Sequence, residues 1–284
     1  MSDEEGGSFE FRTRNAGPIE KMDQLERSLL FAELAKVSYF EPHEAENILR
    51  QVGITTFEFF DRDGAQAYHF ENDVDSVIVC RGTEPDDIND VKADVNALAV
   101  AAETVGRVHR GFKSECDQLW PMIERAIKDN RKSLWFAGHS LGGAMATICA
   151  GRCFLAHIDA TPSGLYTYGS PRVGDRRYIN FCDINHVRWV NNNDIVPRLP
   201  PRWFGYRHSG REMYINRKGQ LAGITGMARS VDRLRGFGDS LLRLQIDQLS
   251  DHSIDQYIEA IAGISERRHA ELRGPLGFRR RAQR

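Results

Sequence analysis

Apolar positions recur in two different rhythms along the chain. Between Met22 and Tyr39 they follow the spacing of one helix face, and Pro42 lies in what is predicted to be the first turn of a second helix. Residues 75–80 (DSVIVC) contain instead a continuous apolar run, which is typical of a strand covered on both faces. Shorter β-rich pieces lie at 55–60 and 67–71. The first part of the chain is therefore predicted to contain both helices and strands.

Strand-like and helical patterns alternate through the middle of the chain. The predicted strands cover 133–137, 165–168 and 186–190, with a later strand-like piece at 212–216. The predicted helices cover 116–128, 141–157, 176–182 and a stretch that runs through 264. This alternation indicates an α/β fold in which helices flank a mostly parallel central sheet.

A single domain is expected, because the chain has no internal repeat and no low-complexity linker. We assign it to residues 19–265. Residues 1–18 are polar and Gly-rich and are predicted to be a disordered lead-in. Residues 266–284 form an Arg-rich tail, which we expect to be solvated, with contact to nucleic acid or a membrane as the less favoured interpretation.

Composition is that of a folded, soluble protein. Of 284 residues, 41% are apolar and 27% charged, and the formal net charge of −2 argues against a nucleic-acid binder. No stretch has the length of a membrane span, and the acidic N-terminus lacks the features of a secretory signal. A cytoplasmic location is the default expectation, with export by a signal-independent route left open. The five cysteines show no C-x-x-C spacing, so we expect them to pack rather than bind metal, and no cofactor is implied.

The sequence GHSLG, residues 138–142, fits the pattern G-x-S-x-G between a predicted strand and a predicted helix. At such a turn Gly138 and Gly142 leave room for a tight bend that presents the serine hydroxyl. Ser140 is therefore the candidate nucleophile. A purely structural Gly-rich turn is the alternative that we disfavour.

A serine needs a base, and a histidine base needs a carboxylate partner. In doubly wound hydrolases the order along the chain is Ser, then Asp or Glu, then His. Of the histidines late enough to serve, His208 and His269 are disfavoured, since one lies in a strand-like piece and the other in the Arg-rich tail. His252 lies in a loop directly before a helix, and the role of base is preferred over helix capping. The buried face of that helix is predicted to contain Ile254, Tyr257, Ile258 and Ile261.

Asp194 is the favoured acid, because it follows the predicted strand HVRWV and so lies at the same edge of a parallel sheet as the candidate serine. Asp175, which follows the preceding strand, is the second choice, although it is also suited to cap a helix. Asp251 cannot easily reach the far nitrogen of the adjacent histidine.

Taken together, these segments resemble the class 3 lipases, which are serine hydrolases of the α/β-hydrolase fold. The resemblance is carried, in family order, by VIVCRGTEPDD (77–87), VHRGF (108–112), FAGHSLGGA (136–144), YGSPRVGD (168–175), NNNDIVPRLPP (191–201) and DHSIDQYI (251–258). It implies that Ser140, Asp194 and His252 are nucleophile, acid and base. It also implies that Thr83 contributes to the oxyanion hole, beside the backbone N–H of Leu141 that the elbow geometry requires.

The resemblance implies a carboxylic ester hydrolase that acts on acylglycerols or other fatty-acyl esters and touches lipid surfaces transiently. A phospholipase A1 or a short-chain esterase is the near alternative, and a non-catalytic lipase-like binding protein is the distant one. Family members often carry Trp and Leu after the aspartate of the lid segment, where this chain has Asp90 followed by Val91 and Lys92. A lid so polar makes strong interfacial activation doubtful. Residues 231–246 are interpreted as a helix packed beside an acyl pocket, or else as an interfacial helix; the oligomeric state is left open.

Overall fold

A seven-stranded sheet forms the centre of the part of the chain that the structure describes. The structure is a computed structural model, and it describes residues 9–13, 17–82, 98–192, 194–222 and 252–273. The strands are β1 (Thr56–Arg62), β2 (Ala65–Glu71), β3 (Asp75–Cys80), β4 (Ala99–Ala101), β5 (Arg107–His109), β6 (Ser133–His139), β7 (Pro162–Tyr168), β8 (His186–Asn191) and β9 (Arg211–Ile215). The large sheet has the order β1-β2-β3-β6-β7-β8-β9, and β4 and β5 pair separately.

Parallel pairing prevails where the candidate site lies. The pairs β1–β2 and β2–β3 are antiparallel, and every later pair in the large sheet, from β3–β6 to β8–β9, is parallel. The carboxyl ends of β6, β7 and β8 therefore meet at one edge of the sheet, where ligands gather in open α/β sheets. The predicted α/β fold with a mostly parallel sheet is confirmed.

Helices cover both faces of this sheet. They are α1 (Gln24–Val37), α2 (Pro42–Arg50), α3 (Arg110–Ile127), α4 (Leu141–Arg152), α5 (Arg176–Phe181) and α6 (Ile254–Arg273). On one face α1 and α6 share an apolar core with Val77, Val79, Trp135 and Trp189. On the other face α3 and α4 pack over Ile78, Cys80 and Phe136. Burial on both faces explains why β3 reads as an unbroken apolar run.

Two helices differ in length from the sequence prediction. α3 begins at Arg110 rather than at 116, because Phe112 is buried in the core and stabilises a first turn that Gly111 would disfavour. α4 ends at Arg152 rather than near 157, because the N–H groups of Cys153 and Phe154 shift to carbonyls only three residues back.

Parts of the lead-in and of the tail belong to the described structure. Phe9 and Phe11 pack against the core, and the backbone N–H of Arg12 donates to Glu33 at 2.6 Å. Two aromatic side chains of the lead-in thus find buried area that composition does not reveal, and the disorder expected for residues 1–18 as a whole stays a prediction. Residues 266–273, assigned to the tail, continue α6 with mostly exposed side chains.

Several expectations concern residues outside the described ranges. They are the oxyanion residue Thr83, the lid segment around Asp90, Asp251 and the amphipathic stretch 231–246. The assignment of residues 19–265 to one domain stays a prediction. Within the described ranges, no helix combines the length and the apolar character that crossing a membrane requires.

Candidate active site

Ser140 lies on a strained turn between β6 and α4. Its backbone has φ 56° and ψ −129°, a left-handed region that costs free energy for any residue with a Cβ atom. The bend is held by two backbone hydrogen bonds, from the N–H of Ser140 to the carbonyl of Tyr168 and from the N–H of Gly143 to the carbonyl of Ser140. The strained turn directs the serine hydroxyl away from the axis of β6 and toward the edge of the sheet.

The two glycines of the pattern are required by contacts with backbone atoms. A Cβ atom on Gly138 would lie 2.4 Å from the backbone C and O of Gly142. A Cβ atom on Gly142 would lie 2.2 Å from the carbonyl oxygen of Cys80. Side chains larger than hydrogen therefore cannot fit without moving β3 and α4 away from the turn.

The structure brings the three predicted residues together from separate parts of the chain. His252 Nε2 lies 2.6 Å from Ser140 Oγ, and His252 Nδ1 lies 2.8 Å from Asp194 Oδ2. All three are buried, with Asp194 the most so at 1% exposed. Because the carboxylate can only accept, Nδ1 carries the proton, and the lone pair of Nε2 faces the serine hydroxyl.

The aspartate is held by more donors than the histidine alone. Asp194 Oδ1 accepts from the N–H of Val196 at 2.9 Å, and Oδ2 accepts from the hydroxyl of Tyr257 at 2.6 Å. Burial, together with the adjacent Asp194, raises the pKa of Tyr257 well above its ordinary value, so this hydroxyl stays protonated and donates. Sequence reasoning did not find Tyr257, which appeared only as an apolar-face residue of the helix after His252.

His139 contacts both the ring and the backbone carbonyl of His252, the candidate base. Its ring lies tilted by 34° against that of His252 with centroids 4.6 Å apart, and its Nε2 lies 2.6 Å from the carbonyl oxygen of His252. The hydroxyl of Tyr39 lies 2.9 Å from Nδ1. Since a carbonyl only accepts, Nε2 carries the proton of His139 and Nδ1 accepts from the tyrosine. Burial lowers the pKa of His139 well below its usual value, and the charge of His252 lowers it further, so the ring is neutral.

Sequence reasoning missed His139 as well. Its place between Gly138 and Ser140 in the GHSLG turn was the available signal, and nothing in the sequence showed that its ring would meet residue 252.

The N-terminus of α4 provides an electropositive position next to the serine. Leu141 is the first helical residue, so its N–H is among the donors that the helix leaves unpaired, and the helix dipole adds partial positive charge there. The loop after β3 approaches closely, since a Cβ atom on Gly82 would lie 2.6 Å from the carbonyl oxygen of His139. Thr83, the second predicted donor, lies outside the described residues.

The alternative residues occupy other places. Asp175 caps α5 by accepting from the N–H of Tyr178 at 2.9 Å. His208 Nε2 contacts the carbonyl of Pro197 at 2.7 Å, and His269 is exposed on α6. Among the candidates that lie within the described residues, His252 is the one that contacts the serine and Asp194 is the one that contacts His252.

On this mostly parallel sheet, a serine at a strand–turn–helix junction is hydrogen-bonded to a histidine, which is hydrogen-bonded to a buried aspartate. This combination defines an α/β-hydrolase fold. Residues 77–204 match the family model described as Lipase (class 3). Over this segment, which includes Ser140 and Asp194, the chain is similar to the class 3 lipases.

Two named proteins with similar sequences are lipases. A lipase of Rhizomucor miehei is 35% identical over 150 residues, which cover 49% of this chain and 41% of the relative. The secreted mono- and diacylglycerol lipase 1 of Fusarium solani is 39% identical over 117 residues, covering 38% and 34% respectively. The chain thus spans less than half the length of these relatives.

Solved structures agree with the fold. The native propeptide complex of the Rhizomucor miehei lipase has a TM-score of 0.60 at 26% identity, with 68% of this chain and 69% of that chain covered. A triacylglycerol lipase whose catalytic centre is described as a serine protease triad has a TM-score of 0.57 at 26% identity, covering 68% and 82%.

Proposed function

We propose that the protein hydrolyses carboxylic esters of fatty acids, with acylglycerols as the substrate class. The observation that carries this proposal is the hydrogen-bonded sequence Ser140 Oγ, His252 Nε2, His252 Nδ1 and Asp194 Oδ2, with separations of 2.6 Å and 2.8 Å. A nucleophile, a base and a group that orients the base are the parts that acyl transfer requires.

Acylation begins when Ser140 Oγ attacks the ester carbonyl carbon. The hydroxyl proton passes to His252 Nε2, and the carbonyl oxygen becomes a negatively charged tetrahedral oxygen. The intermediate then collapses: the bond to the alcohol oxygen breaks, His252 returns the proton to that oxygen, and an acyl-serine remains. Asp194 stabilises the imidazolium that exists between these two proton transfers.

Deacylation repeats the same proton path with water. His252 removes a proton from a water molecule, the hydroxide oxygen attacks the acyl-serine carbonyl, and the serine oxygen leaves with the proton from His252. The products are a free fatty acid and the regenerated serine. Delivery of the acyl group to another acceptor would need only that this acceptor replace water.

The negative oxygen in both half-reactions requires donors. The N–H of Leu141 at the start of α4 supplies one in this proposal, and the resemblance assigns the other to Thr83. Removal of a single oxyanion donor raises the barrier by about 3 kcal/mol in comparable sites.

The names of the relatives favour acylglycerols as the substrate class. The Fusarium solani relative is named for mono- and diacylglycerols, and one structural relative is a triacylglycerol lipase. A glycerol ester therefore fits the proposal better than a thioester or an amide, and transient contact with a lipid surface follows from the insolubility of such substrates.

Replacement of the nucleophile tests the proposal. Ser140→Ala is expected to lower kcat for p-nitrophenyl ester hydrolysis by about 10⁴-fold or more. Ser265→Ala on α6, remote from Ser140, His252 and Asp194, is the matched control and should keep wild-type rates. A fluorophosphonate probe should label the wild-type protein at Ser140. Unlabelled, folded protein with no esterase activity would identify instead a non-catalytic binding protein.

Chain-length preference distinguishes the related activities. Rates on p-nitrophenyl esters from C2 to C16, measured above and below micelle formation, should favour long chains if acylglycerols are the substrates. A short-chain optimum that is indifferent to micelles would identify an esterase. Release of fatty acid from the first position of phosphatidylcholine, in preference to diacylglycerol, would identify a phospholipase A1.

A further inference from the structure

A polar cavity of about 220 Å³ lies beside the loop that carries Asp194. Its floor is formed by one face of β8 and β9, where Arg188 pairs with Glu212 and Val190 with Tyr214 across the strands. This is the opposite face from the one on which Val187 and Trp189 join the core with α1 and α6. Residues of the loop between β8 and β9, together with Arg172 from the loop after β7, line the other walls.

The cavity is lined by an unusual number of guanidinium groups. The arginines are Arg172, Arg188, Arg198, Arg202 and Arg207, and Glu212 is the one carboxylate among the described residues of the lining. Arg188 forms an ion pair with Glu212 at 2.7 Å, so the described lining carries five guanidinium groups against one carboxylate. An anion placed among these groups would be attracted by the excess of positive charge, and a low-dielectric surrounding strengthens that attraction.

Backbone carbonyls hold several of these arginines in place. Arg172 Nη1 donates to the carbonyl of Pro200 at 2.9 Å, Arg198 Nη2 to that of Asn192 at 2.9 Å, and Arg207 Nη1 to that of Arg202 at 2.8 Å. These hydrogen bonds to carbonyl oxygens orient the guanidinium groups. Oriented guanidinium donors are the groups that recognise phosphate oxygens best.

Asn192 provides an independent indication of a ligand. Its side chain is 2% exposed and lines the cavity, its Oδ1 accepts from the hydroxyl of Tyr214, and its Nδ2 has no hydrogen-bond partner. A buried amide without an acceptor costs free energy, and such groups in native proteins usually mark a missing partner. The missing partner must be an acceptor.

The histidine in the same lining indicates the sign of the field. Burial lowers the pKa of His208 well below its ordinary value, and the charges of Arg188 and Arg172 lower it further. Positive charge from two arginines of the lining disfavours a protonated imidazole there, which is consistent with a positive potential in the cavity.

We propose that this cavity binds a phosphate group, held by the arginines and by the Nδ2 amide of Asn192. The site is separate from ester hydrolysis but lies against the segment 191–198, which contains Asp194 and Val196. Two sources could supply the phosphate: free inorganic phosphate, or a phospholipid headgroup. Trp203, 83% exposed, and Phe204 follow Arg202 directly, so a headgroup in the cavity would place two aromatic rings at the lipid boundary.

Calorimetric titration of the full chain with sodium phosphate, against sodium chloride at equal ionic strength, tests the site. Wild-type protein should bind inorganic phosphate. Arg202→Gln should weaken binding by about tenfold or more, since it removes a charge-assisted donor from an exposed side chain without disturbing the core. Arg62→Gln, an exposed arginine on β1, is the matched control and should bind like wild type.

Two further variants keep the test decisive. Asn192→Asp adds a buried negative charge and should abolish binding; if it does not fold, the Arg202 comparison stands alone. Ser140→Ala should bind phosphate normally, so that failure of this proposal and failure of the proposed hydrolysis remain distinguishable. Absence of phosphate-specific heat in wild type, or equal affinity of the Arg202 and Arg62 variants, would overturn the site.

Vesicles identify the source of the phosphate. Wild-type protein is mixed with phosphatidylcholine vesicles that contain phosphatidic acid, and with vesicles of phosphatidylcholine alone. Sedimentation with the acidic vesicles that inorganic phosphate reverses would assign the cavity to a lipid headgroup. Titratable phosphate binding without such sedimentation would assign it to the free ion, and either result supports the phosphate site.

Discussion

The hydroxyl of Tyr257 and the backbone N–H of Asn191 lie 3.0 Å apart, and the same hydroxyl donates to Asp194 Oδ2 at 2.6 Å. One side chain on α6 thus joins the end of β8 to the carboxylate that orients the base. Since α6 also follows directly after His252, the acid and the base are fixed to each other twice, once through their own hydrogen bond and once through Tyr257.

Loss of the Tyr257 hydroxyl should affect both stability and turnover. Tyr257→Phe removes a buried donor to a charged acceptor, so we expect unfolding free energy to fall by about 1.5–3 kcal/mol. We expect kcat/KM on a p-nitrophenyl ester to fall by about tenfold, because the Asp194 carboxylate, which orients His252, loses one of the donors that hold it in place. The control is Tyr178→Phe, a buried tyrosine on α5 whose hydroxyl donates to the carbonyl of Thr147 at 3.4 Å, and it should keep wild-type turnover. Equal kinetics of the two variants would contradict the role of Tyr257.

Substitution of the second elbow glycine should be severe. Gly142→Ala places a Cβ atom 2.2 Å from the carbonyl of Cys80, and only backbone can yield. The expected loss is about 3 kcal/mol or more of unfolding free energy, with loss of activity. Gly263→Ala is the control: in α6 its nearest neighbour is the flexible end of Arg267 at 3.3 Å, so stability should hold or rise by about 0.5–1 kcal/mol. Urea unfolding followed by circular dichroism measures both.

His139 should matter to turnover as well as to folding. His139→Phe keeps a ring against His252 but leaves the carbonyl of residue 252 without its donor, so we expect kcat to fall about tenfold. His69→Phe is the matched control, since His69 is a buried histidine that contacts Ser76 at 2.8 Å, away from the site. Its stability should fall, while its kcat per folded molecule should not. A kcat for His139→Phe equal to that of wild type would reject this support role.

Acid should destabilise the protein through its buried neutral histidines. Burial lowers the pKa of His186 to about 3, and the charge of Arg188 contributes. The unfolded chain binds the proton near pH 6.5 and the folded chain does not, so the unfolding free energy falls as pH drops from about 6.5 toward 3. The loss is about 1.4 kcal/mol per pH unit for this residue.

The matching experiment compares His186→Asn with wild type in urea unfolding between pH 7.5 and pH 4.5. The variant should show a weaker pH dependence, by up to one proton. An unchanged slope would show that His186 does not stay neutral. His186 contacts the hydroxyls of Thr167 and Ser209, which an amide can also reach, so the variant is expected to fold.

The sequence pattern was sufficient for the parts of the site that local rules govern. Gly138 and Gly142 predict the tight turn because no side chain fits there, and a strand and a helix on either side specify its orientation. Asp194 and His252 followed from chain order and from the sheet edge at which loops meet. Their proximity in the structure agrees with that reasoning, while their catalytic roles stay a proposal.

Partners that depend on three-dimensional packing could not be read from the chain. Tyr257 and Asp194 are 63 residues apart, and His139 meets the carbonyl of a residue 113 positions later. Periodicity assigned Tyr257 to a buried helix face, which is correct, but it cannot show that the hydroxyl reaches a carboxylate. Phe9 and Phe11 were likewise missed, because isolated aromatics in a polar segment give no periodic pattern.

The long sequence separation between Ser140 and His252 has a consequence for synthesis of the protein. Residues 75–168 contain the strands and the helix that hold the bend at Ser140, including Tyr168, whose carbonyl accepts from the N–H of Ser140, but the imidazole that contacts the serine lies 112 residues after it. A nascent chain can therefore complete the strained turn while its hydroxyl is still an ordinary, unactivated alcohol. Because the ribosome adds residues from the N-terminus, the Ser140 hydroxyl becomes reactive last, when α6 docks beside α1 and His252 reaches the serine.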